Sequence, residues 1–110
     1  MKIITDNEIH QFDQKGFLIK KNFFKKSFVQ KISKEINKLK SRDKTKKVDR
    51  YFGASIKNNQ KSILVRIENF YQKSKYLTKL IDDKSVKEIL SKLFKNKATL
   101  FKEKINFKPP

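Results

Sequence analysis

The chain has no cysteine and one histidine, His10. Without thiols there is no disulfide, no thiol nucleophile and no cysteine-based zinc or iron–sulfur site. A metal site needing two histidines cannot be assembled within one chain either. Glycine occurs only at Gly16 and Gly53, which excludes a P-loop and a dinucleotide-binding fingerprint. Met1 to His10 holds no apolar core of signal-peptide length, and no run reaches the roughly 20 apolar residues of a membrane span. The expectation is a cytoplasmic protein without a membrane partner.

What is present is charge and aromatic bulk. Lys plus Arg number 29 against 11 Asp plus Glu, a net charge of +18, and the charged and hydrophobic fractions are equal at 36%. Such an excess raises nucleic acid or an anionic membrane surface as a partner. However, the lysines are scattered over every segment rather than gathered on one face. Arg occurs only at Arg42, Arg50 and Arg66, and the abundant Lys, Asn, Ile and Phe are residues of A- and T-rich codons. Base composition therefore accounts for the charge as well as selection for polyanions does, and nucleic acid is not the expected partner. The ten Phe are spread along the 110 residues, enough for one small domain with little stability in reserve.

Thr5-Asp6-Asn7-Glu8 spells a capping box, and Ile9 and Phe12 follow at helical spacing, so a short helix is expected over Asp6–Gln14. Gly16 stands where a left-handed C-terminal cap belongs, and the apolar Phe17-Leu18-Ile19 reads as a buried strand. Phe28, Val29, Ile32, Ile36 and Leu39 mark one face of a second helix over Lys26–Leu39. Ser41–Lys47 and Lys57–Lys61 are polar and read as exposed loops flanking Tyr51-Phe52.

Ile63–Ile67 is β-branched enough for a strand, and Tyr76–Ile81 reads as a short helix. Ser85-Val86-Lys87-Glu88 spells a second capping box before Ile89, Leu90, Leu93 and Phe94, an amphipathic helix. Lys95-Asn96-Lys97 turns into a final strand, Ala98–Lys108. There Phe101, Ile105 and Phe107 share one face, directed against the amphipathic helix, and Lys102, Lys104, Asn106 and Lys108 share the other. That polar face is either a solvated sheet surface or the wall of an anion-binding cavity, since Lys and Asn donate to carboxylates. His10, in the first helix, is expected at the surface without a chemical role.

Taken together, Ile4 to Phe12, Gly16-Phe17-Leu18-Ile19 and Asn22-Phe23-Phe24 resemble the opening of the phytanoyl-CoA dioxygenase family. Leu100 to Pro110 is similar to the strand that in that family precedes a Gly-rich turn and a His-x-Asp iron motif. The resemblance spans the chain at low stringency and is weakest over Ser41–Lys61. It implies an α+β fold, with helices on the first strands of an incomplete double-stranded β-helix (jelly roll), residues 1–110 forming one partial domain. It implies an iron(II)/2-oxoglutarate-dependent dioxygenase, a hydroxylase of a small-molecule substrate. By position, Asn106, with Lys104 and Lys102 on the same face, would contact 2-oxoglutarate; Lys108 would stand near the cavity mouth. The chain departs from the family pattern in carrying no iron ligand, the His-x-Asp and later His falling beyond Pro110, so alone it is expected to be inactive. The alternative is a small basic nucleic-acid-binding or protein-interaction module.

Overall fold

A computed structural model describes residues 3–41, 47–54 and 62–108. The first helix, α1 (Asp6–Lys15), starts at the expected capping box. The Thr5 amide donates to Glu8 Oε1 at 3.0 Å and the Glu8 amide donates to Thr5 Oγ1 at 3.1 Å. Two of the amides that a helix start leaves without partners are satisfied in this way. Gly16 ends the helix at φ +80°, its amide donating to the Phe12 carbonyl at 2.8 Å. A residue with a Cβ would find room at Gly16 but would be strained by that φ.

Phe17-Leu18-Ile19 is not a strand. Among the described residues no neighbouring strand offers it a ladder, and the Lys20 ammonium is held by Glu8 at 2.8 Å. Phe17 and Ile19 are 57% and 70% exposed, and only Leu18 turns inward.

Helix α2 (Lys26–Lys40) carries its apolar stripe as expected, with Leu39 fully buried. Its last carbonyls are satisfied locally by Ser41 and from afar by Arg50, whose Nε donates to the Leu39 carbonyl at 2.8 Å. Strands β1 (Asp49–Ala54) and β2 (Ser62–Glu68) pair antiparallel, while Arg42–Lys46 and Ser55–Lys61, on which both expected loops largely fall, lie outside the described residues. The β1–β2 register shifts between Tyr51 and Phe52, so that Val65 is left over as a bulge. The bulge resets the alternation, so that Leu64 and Ile67 both reach the core. Gly53 lies beside it, where a Cβ would come within 3.3 Å of Val65 Cγ1.

Helix α3 (Lys75–Ile81) begins without a cap of its own, and Glu35 of α2 supplies one. The Glu35 carboxylate accepts from the Ser74 hydroxyl, the Tyr76 amide at 2.9 Å and the Leu77 amide at 3.3 Å. Helix α4 (Lys84–Phe94) is capped by Asp83, which accepts from the Val86 amide at 2.9 Å. The capping box expected at Ser85–Glu88 is thus not formed, because the Asp83 carboxylate starts the helix earlier. Lys95, at φ +57°, closes α4.

The final strand, β3 (Lys104–Asn106), is shorter than expected. β2 ends at Glu68 opposite Lys104, and Asn69 turns away at φ +61°, so Ala98–Glu103 has no ladder to join. Phe101 is consequently 99% exposed. The sheet is three-stranded and antiparallel in the order β1-β2-β3, giving an α+β architecture.

Apolar packing divides into two clusters. Leu39, Val48, Ile67, Phe70 and Leu77 form the first, joined by Ile32 and Ile36 of α2 and by Ile105 and Phe107. Ile105 and Phe107 were expected against α4 and instead join the first cluster with Leu39, Ile32 and Ile36 of α2, because Ile105 pairs with Ile67 at the centre of that cluster. Ile4, Ile89 and Leu93 form the second, between α1 and α4. Among the described residues no helix is long and apolar enough to cross a membrane.

Candidate functional site

The sheet face turned away from the first cluster is polar, and the sequence-predicted site residues lie on it. Antiparallel pairing places directly opposed residues on one face. Register sets Asn106 opposite Arg66 and Lys104 opposite Glu68, with Tyr51 across from Arg66 on the other side. Lys102 precedes β3 yet reaches the same place, its Nζ 2.9 Å from Glu68 Oε1. Lys102, Lys104, Asn106 and Lys108 are all exposed, and Glu103, Ile105 and Phe107 between them are half-buried, so the expected alternation holds through this segment.

Glu68 is the centre of the arrangement. It is buried, at 6% exposure, between Lys102, Arg66 and Tyr51. The Lys102 hydrogen bond holds its carboxyl below the ordinary value of 4.5, against the opposing pull of burial, with help from the Tyr51 hydrogen bond and the Lys102 and Arg66 charges. The same contact acts on the Tyr51 phenol, which donates to Glu68 and is raised above 10.0 chiefly by that bond and by the carboxylate charge. Arg66 stacks over Tyr51 at 4.3 Å, and its Nε, buried and without a hydrogen-bond partner, stands 3.7 Å from Glu68 Oε1.

With Glu68 neutralised by Lys102, the donors left on the face include the Lys104 ammonium and the Asn106 amide. Neither has a hydrogen-bond partner among the described residues, and both are exposed. A carboxylate fits donors of this kind. Iron does not fit this chain. Its lone His10 is exposed on α1, and no cluster of three or more His, Cys, Asp or Glu that could hold a metal occurs among the described residues.

Tyr51, Arg66 and Glu68 were missed by sequence reasoning. The alternation of Arg66 and Glu68 around Ile67 was a usable signal for a polar face on β2. Their meeting with Lys102 and Lys104 was not legible, because it depends on the register between β2 and β3. No family model, no curated protein and no solved structure matches the chain.

Proposed function

We propose that this chain is the N-terminal part of an iron(II)/2-oxoglutarate-dependent dioxygenase of the phytanoyl-CoA dioxygenase type, a cytoplasmic hydroxylase of a small-molecule substrate. The observation that carries the reading is the segment Lys102–Phe107. It presents free carboxylate donors, Lys104 and Asn106, on one face and Ile105 and Phe107 to the core on the other. That is the character the family resemblance asks of the strand before the iron motif. Lys104 and Asn106 are the residues of this chain that would meet 2-oxoglutarate, and Lys102 would act indirectly, by neutralising Glu68 beside them. The iron ligands and the remaining anchors would come from sequence following Pro110, as would the rest of the double-stranded β-helix around β1, β2 and β3.

Translating the DNA after the Pro110 codon in all frames tests the reading. A Gly-rich turn followed by His-x-Asp is expected, and a stop codon with no such remnant in any frame would sink it.

A small basic nucleic-acid-binding module is the second reading, favoured by Lys31, Lys75 and Lys79, which stand 5.2, 5.4 and 5.4 Å from the Tyr76 ring centre. Filter binding at two salt concentrations separates the two. Bulk attraction fades at about 150 mM salt, whereas a built site retains affinity.

A further inference from the structure

Two apolar cavities open on the same flank of α4. The first, about 980 Å³, lies between α1, α4 and the start of α2, walled by Phe12, Leu18, Phe23, Val29 and Leu93. The second, about 850 Å³, lies between α4 and the stretch before β3, walled by Leu80, Ile81, Ala98, Leu100 and Phe101. Phe24, Val86 and Leu90 line both, so the cavities join into one continuous trench. Its walls are wet: Val29 and Leu100 are each 46% exposed, Phe101 is 99% exposed, and Leu18, Phe24, Val86 and Leu90 are half-buried. Exposed apolar surface of this continuity marks a contact site.

Shape and charge select the occupant. A small apolar ligand lying in an open trench would keep much of its surface in water, whereas an amphipathic helix needs to bury only one stripe. The rim carries Lys20 and Lys26 at one cavity and Lys87, Lys97 and Lys102 at the other, against Asp82 as the carboxylate among the lining residues. Lys26 and Lys97 have no carboxylate at ion-pair distance among the described residues. A second copy of this chain would bring another +18 to the same rim.

We propose that the α4 trench is the docking site for an acidic amphipathic helix of a partner protein, its apolar anchors in the two cavities and its carboxylates on the lysine rim. The test titrates the whole chain into a labelled synthetic peptide with Leu at i, i+3, i+4 and i+7 and Glu elsewhere, at about 150 mM salt to suppress bulk attraction. The patterned peptide should bind at least about tenfold more tightly than a scrambled peptide of equal composition. Val29→Asp and Phe101→Asp, at exposed positions outside both apolar clusters, should each weaken it by about tenfold. Equal binding of the scrambled peptide, or of a Leu/Lys peptide, would overturn the proposal. So would self-association in sedimentation that Val29→Asp abolishes, since the occupant would then be a second copy.

Discussion

The two apolar clusters differ in how they are held. In the first, Ile67 and Leu39 at its centre are 0% and 1% exposed while Val48 keeps 9%, and polar groups from other elements brace the helices around them. Glu35 caps α3 from α2, and Arg50 of β1 bonds the last turn of α2. In the second, Ile4, Ile89 and Leu93 each keep 6–9% exposure, and the helices around them are finished by their own neighbours: Thr5 with Glu8, Gly16 with Phe12, Asp83 with Val86. The helix ends around cluster one are held by contacts from other elements and those around cluster two by local ones. Local caps fix where a helix starts and stops but say nothing about what covers its apolar face. This is why the open trench lies along α4 and not beside β2.

The comparison is tested hardest by removing equal volume from each side. Ile67→Ala should be the most damaging substitution, at about 4 kcal/mol, because the β2 bulge fixes the surrounding backbone and leaves a cavity. Ile89→Ala should cost about 2 kcal/mol, since α4 borders open space and can relax into it. Urea unfolding followed by circular dichroism measures both. If Ile89→Ala proves as damaging as Ile67→Ala, the clusters are one core and the distinction fails.

The next effect in size concerns the brace. Glu35→Ala removes the acceptor for the Ser74 hydroxyl and for the Tyr76 and Leu77 amides, and is expected to destabilise by about 1–3 kcal/mol. Glu35→Gln keeps an acceptor and should recover a good part of that loss. Amide exchange should quicken in α3 and across the first cluster while α1 and α4 keep their protection. An effect confined to the first turn of α3 would mean that Glu35 only caps and does not couple α2 and α3 to the rest of the first cluster. By contrast, Thr5→Ala breaks a local capping box, with an expected cost of about 1 kcal/mol. Faster exchange should stay within α1.

The same division explains what the sequence allowed to be read. α1, α2 and β2 were expected within a residue or so of where they lie, because capping chemistry and apolar period are contained in a single window. Most of the misses lie where a distant partner decides. Phe17-Leu18-Ile19 has the composition of a buried strand but no strand beside it among the described residues, and Ala98–Glu103 alternates like a strand but outruns β2, which turns away at Asn69. At Ser85–Glu88 two local signals competed, and the Asp83 carboxylate prevailed over the Ser85 hydroxyl. At the polar site, the side of β3 carrying Lys104 and Asn106 was legible from alternation. Glu68, on which Lys102, Arg66 and Tyr51 converge, was not, because a buried acid on a strand gives no sign in one sequence of which cations will reach it.

The smallest effect expected bears on that site and has a fixed sign. The Lys102 hydrogen bond depresses the folded-state pKa of Glu68 below the unfolded value, so the stability it contributes is fully present above the unfolded pKa near 4.5. It is lost as pH falls from there through the folded pKa, where the folded carboxylate takes up its proton. Lys102→Met removes the largest of the groups lowering that pKa, leaving burial to push the other way. The variant should lose stability at neutral pH, and its stability should fall less steeply than that of the parent below pH 4.5. Glu8 titrates in the same range, held low first by Lys20, so its contribution must be removed by comparison. Measuring urea midpoints between neutral pH and the acid limit for the parent, Lys102→Met, Lys20→Met and the double variant does this. If Lys102→Met leaves the acid slope of the parent unchanged, Lys102 is not what neutralises Glu68, and the open donors assigned to Lys104 and Asn106 would face an unscreened carboxylate.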